Sequence, residues 1–317
     1  MPRRILIDAD PGVDDALALA LALRSPELSP VAVCAVNGNA SVEKAAANAL
    51  RILDVLNPSP RPPVAKGADQ PLSRPRVGAE HVHGGDGLGG ATELRGQNGS
   101  LRYPPSETPL DQRHAVDLIL DAADEETVLA ALGPLTNVAL AVRADARKMR
   151  RYAELVVMGG AFRTSGNVTP QAEFNVYADP HALQEVLAAG LQLTFIPLDA
   201  TSSVLLTPQT LAEARGSLGR FTRDISAQLL AFTQKAAGVN GMHVHDALVI
   251  AYLLDESLFR LEHVCARVET AEGASLGRTY HEAGGTPNAR AAFEADEARI
   301  LALLKSRVLS LQPDGDR

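Results

Sequence analysis

ILIDADPGVDDALALALAL, running from Ile5 to Leu23, changes structure partway along its length. Ile5-Leu6-Ile7 is apolar and β-favouring and predicts a buried strand, which runs out at Asp8 and Asp10. A Pro11-Gly12 turn follows, and Asp14-Asp15 open a helix. The Ala-Leu alternation beyond Ala16 has the period of a strand. Both residues are strong helix formers, however, and no β-branched residue follows Val13, so a helix buried on most sides is expected. Four carboxylates, Asp8, Asp10, Asp14 and Asp15, therefore crowd one strand-to-helix turn. Acids that close repel, so they either hold protons at raised pKa or share a cation. Hard oxygen donors suit Ca²⁺ or Mg²⁺, whereas zinc asks for His and Cys. A plainer use also fits: Asp14 and Asp15 at the positive end of the helix dipole, with Asp8 or Asp10 as a cap.

The same unit recurs outward from this turn. Val31 to Val36 reads as a second buried strand, Asn37-Gly38-Asn39 as its exit, and Ser41 to about Leu56 as a helix capped by Ser41. Strand, polar turn and helix in succession predict a parallel sheet covered by helices, with ligands beyond the carboxyl ends of the strands. Asn39 stands at such an end, either as a ligand or as a residue of turn geometry. Further strands are expected at Thr127 to Leu132, Glu154 to Met158, Gln192 to Pro197 and near Val264. Helices are expected at Asp111 to Ala123, Pro180 to Ala189, mainly over 208–238, at Ala247 to Leu254 and from about Ala291 to Leu309. No domain boundary interrupts the series, so residues 1–317 are expected to form one α/β domain with a mostly parallel, Rossmann-like sheet.

Several connections carry chemistry. His81-Val82-His83 leads into a loop with five glycines between Gly84 and Gly90, and neither Lys nor Ser/Thr closes it as in a phosphate cradle. It reads as a lid over a site or as a surface excursion. Gly159-Gly160 lets a ligand approach the backbone after the strand ending at Met158. Asn167, Glu173 and Asn175 offer short hydrogen-bonding side chains suited to hydroxyl groups. His245-Asp246 precedes an apolar helix, as a cap beside a surface histidine or as part of a site.

Composition limits the partners. Thirty Lys and Arg against 38 Asp and Glu give a net charge of −8 over 317 residues, which argues against a nucleic-acid surface. No apolar run is long enough to span a bilayer, and Met1-Pro2-Arg3-Arg4 lacks the pattern of a signal peptide, so a cytoplasmic enzyme with a small-molecule substrate is expected. The two cysteines, Cys34 and Cys265, each sit in an expected strand and read as small buried hydrophobes. Aromatics make up 4% and Trp is absent, which limits how a planar ligand is stacked.

In order and spacing, Asp8-Ala-Asp-Pro-Gly-Val-Asp-Asp-Ala16, Asn39, Leu132-Gly-Pro-Leu-Thr-Asn137, Met158-Gly-Gly160, Asn167, Ala172-Glu-Phe-Asn175 and His245-Asp246 resemble the nucleoside hydrolases, the ribonucleoside N-glycosidases. The resemblance spans residue 5 to about 255. It implies Ca²⁺ held by Asp10, Asp15, Asp246 and the carbonyl of Leu132, with Asp10 also taking a proton from the attacking water. It further implies ribose binding by Asp14, Asn39, Met158, Asn167, Glu173 and Asn175, and an oxocarbenium-like transition state with inversion at the anomeric carbon. His245 would protonate the leaving base, with His83 as a partner on the glycine-rich loop. A homodimer or homotetramer is implied by the same resemblance. Two departures stand out: Ala247 replaces the Pro that many relatives carry after His-Asp, and the region near Phe232 lacks the Tyr-rich stretch some relatives place beside the base. His243 is set aside, because residues two apart do not share a helix face. Two other classes carry an acidic turn of this kind. One is a haloacid dehalogenase-like Mg²⁺-dependent phosphatase, which leaves Asp14-Asp15 and His245-Asp246 without a role. The other is a non-catalytic nucleoside or ribose binding protein.

Overall fold

Ile5, Leu6 and Ile7 are fully buried in strand β1 (Arg3–Ala9), and their side chains divide between the two faces of a sheet. Ile5 and Ile7 join one hydrophobic cluster and Leu6 another, as alternation along a strand covered on both sides requires. A computed structural model describes residues 1–309; residues 310–317, included in the expected domain 1–317, lie outside the described residues. The next strands are β2 (Leu28–Ala35), β3 (Val64–Lys66), β4 (Thr127–Ala131), β5 (Glu154–Met158) and β6 (Leu193–Ile196). Two short strands, β7 (Leu205–Leu206) and β8 (Met242–His243), pair antiparallel, and β9 (Phe259–Val264), β10 (Ala266–Val268), β11 (Thr279–His281) and β12 (Ala289–Ala295) follow.

The eight-stranded central sheet has the order β3-β2-β1-β4-β5-β6-β12-β9. Every neighbouring pair is parallel except β12 with β9. The chain runs outward from β1 through β2 to β3, then returns to the other side of β1 with β4. The order thus reverses between β1 and β4, and such a reversal opens a crevice at the carboxyl ends of the two strands. Asp10 and Leu132 lie immediately beyond those ends.

The helix Val13–Leu23 is buried from Val13 through Ala22, as its Ala-Leu composition predicts. Leu17, Leu19 and Leu21 are at most 1% exposed, and each contributes roughly 1.5–3 kcal/mol by leaving water. It packs against the equally apolar helix His245–Leu254. Among the described residues, no helix is long and apolar enough to cross a membrane.

Three expectations require correction. The final helix does not begin near Ala291: Ala289–Ala295 is strand β12, inserted beside β6, and the helix starts at Glu297. Alanine-rich composition suggested helix there, but small side chains also suit a strand hemmed in by neighbours on both sides. The helix expected at Asp111 to Ala123 shortens to Ala115–Asp121, because Asp111 donates its backbone N–H to Val64 at the sheet edge. Cys265 is buried, as is Cys34, but it lies at the break between β9 and β10.

Asn137, in the first turn of helix Thr136–Met149, fastens the carboxyl ends of the strands together. Its Nδ2 donates to Asp8 Oδ1 (2.7 Å) and to the carbonyl of Ala35 (3.1 Å), and its Oδ1 accepts from the Ala68 N–H (2.8 Å). All of these groups are out of reach of water. Asn137→Ala strands an N–H and a carboxylate, and is expected to lower the unfolding free energy by about 1–3 kcal/mol in urea titration. An unchanged midpoint would remove Asn137 from this role.

Candidate active site

Beyond β1 the chain leaves the sheet at Asp10, and the carboxylate there occupies space that two glycines leave free. A Cβ at Gly38 would collide with Asp10 Oδ2, and one at Gly133 would crowd Oδ1. Both glycines follow neighbouring strands of the sheet. Asp10 Oδ2 accepts the Asn39 N–H (2.7 Å), and Asn39 Nδ2 donates to the Asp10 carbonyl (3.3 Å) and to Asp15 Oδ2 (3.1 Å). Asn39 is thus a tie between two acids as well as a turn residue. Asp15 Oδ2 also accepts the Gly12 N–H (2.8 Å), whereas Asp15 Oδ1 is buried with no hydrogen-bond partner.

Asp246 arrives from the start of helix His245–Leu254. One oxygen each of Asp14, Asp15 and Asp246 lie within 4.8 Å of one another, all three residues buried. Desolvation pushes each carboxyl upward: Asp14 and Asp15 to about 6, and Asp246 and Asp10 well above the usual carboxylate range. Repulsion among the acids adds to the effect at Asp10, Asp15 and Asp246. Such a cluster holds protons or takes up a cation. An all-oxygen donor set with one buried oxygen left unpartnered fits a hard divalent ion. The expected metal set named Asp10 beside Asp15 and Asp246. Geometrically, the tight trio contains Asp14, while Asp10 stands alongside on the cavity wall.

A cavity of about 520 Å³ opens over these acids, a size suited to a small ligand. Asp10, Asp14, Asn39, His83, Leu132, Met158, Asn167, Glu173, Asn175, His245 and Asp246 line it, while Asp15 is fully buried behind them. Every expected site residue is therefore in this wall or directly beneath it. Several are also held by the backbone. Asn175 Nδ2 donates to the carbonyls of Leu132 (2.6 Å) and Met158 (3.2 Å), which fixes the strand exits. Glu173 caps the short helix Phe174–Ala178, accepting from Asn175 N–H (2.7 Å), Val176 N–H (3.1 Å) and Gly160 N–H (3.0 Å). Asn167 Oδ1 accepts the Phe174 N–H (2.9 Å) at the exposed rim.

Imidazoles occupy another part of the wall. His83 ends a short helix, Glu80–His83, and its Nδ1 accepts the Val13 N–H (3.2 Å), so the neutral ring carries its proton on Nε2. Burial lowers His83 to about 4 and His245 to about 3. The glycine-rich segment after His83 is wound around Asp86, which accepts from the N–H groups of Leu88, Gly90 and Thr92 (2.9, 2.9 and 3.0 Å). Leu88 is fully buried, so the segment is packed into the wall.

Two residues outside the expected set stand at the site. Thr201 Oγ1 lies 2.8 Å from His245 Nδ1, and nothing local in the sequence links it to a histidine 44 positions away. His243 lines the cavity with its ring stacked on His245 (centroids 5.3 Å apart). The helix-face objection to it fails because His243 ends β8 and only His245 begins the helix. Phe232, the nearest aromatic expected, does line the cavity, edge-on to His81 at 5.7 Å.

Comparison with known proteins agrees with this architecture. The chain is 38% identical over 288 residues to an inosine-uridine preferring nucleoside hydrolase of Leishmania major, covering 88% of this chain and 87% of that protein. It is 34% identical over 283 residues to a pyrimidine-specific ribonucleoside hydrolase of Escherichia coli O157:H7, covering 87% and 86%. Among solved structures, a plant nucleoside hydrolase superposes with a TM-score of 0.89 at 29% identity, covering 98% of this chain and all (100%) of that one. A purine-preferring ribonucleoside hydrolase from Gardnerella vaginalis gives 0.88 at 28%, covering 98% and 99%. The family model described as inosine-uridine preferring nucleoside hydrolase matches residues 5–302, and the chain accordingly belongs to that family of N-glycosidic-bond hydrolases.

Proposed function

We propose that the protein hydrolyses ribonucleosides to ribose and free base with Ca²⁺ as its metal. The observation that carries this reading is the buried Asp14-Asp15-Asp246 trio with its unpartnered Asp15 oxygen, beneath a cavity lined by amides and imidazoles. Asp10, Asp15, Asp246 and the Leu132 carbonyl are the proposed ligands, with Asp14 adjoining them. When bound, Ca²⁺ would acidify water and anchor hydroxyl oxygens. Neither alternative class is favoured by the relatives. The cytoplasm and a homodimer or homotetramer complete the proposal, on the family resemblance.

Asp10 acts as the base, removing a proton from the attacking water as oxygen approaches the anomeric carbon. The Asn39 N–H on its Oδ2 fixes the carboxylate plane and favours the ionised form. Asp14, Asn39, Met158, Asn167, Glu173 and Asn175 receive the ribose, whose binding energy places the anomeric carbon against that water. Positive charge grows on the sugar as the bond to the base lengthens, and the surrounding carboxylates stabilise it.

Negative charge grows on the departing base, and His245 and His83 answer it. Burial keeps both rings neutral, so each contributes an N–H donor. With Thr201 Oγ1–H as the donor to His245 Nδ1, the ring proton would sit on Nε2, the tautomer that Val13 imposes on His83. His243 and Phe232 are the nearest candidates to contact the base. The relatives range from pyrimidine-specific to purine-preferring, so a mixed nucleoside panel is the appropriate assay.

Ribose release from that panel should fall to background with a chelator and return with Ca²⁺, and Asp10→Asn should lose about 10²–10⁴-fold in turnover. Binding without ribose release would instead mark a non-catalytic protein. Ca²⁺ should also raise the unfolding free energy of the wild type, by about 2.7 kcal/mol at a hundredfold excess over Kd, and Asp15→Asn should abolish the shift. A shift that survives Asp15→Asn would refute the metal assignment. His245→Ala should cut kcat on natural nucleosides while sparing a riboside with a good leaving group, and Thr201→Val should do the same more weakly at unchanged KM. Equal losses on both substrates would take His245 out of the leaving-group role.

A further inference from the structure

A second cleft, about 300 Å³ in volume, shares no lining residue with the cavity above the acids. Arg51 and Asp54 of helix Val42–Leu56, Arg102 and Tyr103, and Ser217 and Arg220 from the first turns of helix Gly216–Ala237 frame it. Its charges do not cancel. Asp54 is already paired with Arg61 (2.8 Å) and Arg102 with Asp224 (2.6 Å). Neither Arg51 nor Arg220 has a carboxylate oxygen within 4.0 Å among the described residues.

Arg51 makes this imbalance costly, being only 7% exposed. Its Nε donates to the Tyr103 carbonyl (3.0 Å) and its Nη1 to Asn48 Oδ1 (3.3 Å), both neutral acceptors, while Nη2 takes part in neither bond. Burial makes Arg51 easier to deprotonate than an exposed arginine, and the more distant charges of Asp86 and Asp54 offset that only in part, so the guanidinium lacks a directly paired anion. Arg220, in contrast, is exposed at the mouth. One dianion with several acceptor oxygens would neutralise both guanidiniums, and phosphate matches their fork of donors better than a single carboxylate does.

We propose that this cleft binds the phosphate group of a small phosphorylated molecule, with Arg51 and Arg220 as its counter-cations and Ser217 as a hydroxyl donor. The site adjoins a clamp on the catalytic loops. Asn48, which accepts from Arg51, donates to the carbonyls of Pro11 (3.1 Å) and Asp86 (2.8 Å). An anion drawn to Arg51 therefore acts one hydrogen bond away from the acidic turn and the glycine-rich segment.

Calorimetric titration with inorganic phosphate at fixed ionic strength tests the site without any reference to turnover. Wild type should bind saturably, and Arg220→Gln, a change at an exposed position, should weaken binding about tenfold, the loss of one charge-assisted contact. Ribose 5-phosphate binding tighter than inorganic phosphate in the same experiment would assign a sugar ester as the occupant. Equal phosphate affinity in wild type and variant, or no saturable binding by wild type, overturns the proposal.

Discussion

Asp10, Asp14, Asp15 and Asp246 are buried within reach of one another's fields, and the molecule around them is arranged to make that tolerable. Isolated carboxylates in such a place would surrender their charge to protons, and burial drives all four in that direction. Opposing the drift are the amino ends of two helices. Asp14 and Asp15 occupy the first turn of Val13–Leu23, Asp246 that of His245–Leu254, and the two helices pack against each other. Their partial positive ends converge on the cluster, each favouring anions by roughly 0.3–1 kcal/mol or somewhat more when partly buried. That is too little to hold four charges together, so a cation is the natural remaining partner. The dipole reading and the metal reading of the acidic turn are thus compatible with one site.

Position in the sheet explains why residues so distant in sequence meet. Reversal of strand order between β1 and β4 opens the crevice, and each neighbouring strand delivers its exit to the same rim: Asn39 after β2, Leu132 after β4 and Met158 at the end of β5. Asn137 and Asn175 then lock these exits through backbone carbonyls. Catalytic geometry of this kind depends on the sheet's register. A residue at the end of a parallel strand has a neighbour on each side and little freedom to drift.

Much of this was legible because the relevant signals are local. The strand-turn-helix at Ile5 to Leu23, the repeated βα unit and the Asp, Asn and Glu residues at strand exits each announce themselves within a few positions, and all reach the rim of one cavity. What stayed hidden depends on tertiary partners. The tie from Thr201 to His245 has no sequence signature. His243 was misjudged by assuming a helix where β8 stands. Ala289–Ala295 became a strand because β6 and β9 lie on either side of it, a context that outweighs alanine's preference for helix. Glu173 and Asn175 were read as ligands, yet both also anchor backbone, and no sequence pattern separates those duties.

The glycine-rich segment has a local organiser that its composition does not announce. Five glycines read as a lid or a surface excursion, and the chain there is organised around one carboxylate: Asp86 gathers the N–H groups of Leu88, Gly90 and Thr92. Glycine serves close packing here. A Cβ at Gly89, where φ is +64°, would strike the Ile225 carbonyl on helix Gly216–Ala237. The segment lies close against that helix, which supplies Leu229, Phe232 and Thr233 to the cavity wall. With no Trp and few aromatics in the chain, the rings lining the cavity are four imidazoles, those of His81, His83, His243 and His245, together with Phe174 and Phe232. Rings kept neutral by burial, as those of His83 and His245 are, each retain one N–H donor and one acceptor nitrogen, so a wall of this kind is suited to hydrogen bonding as well as to stacking.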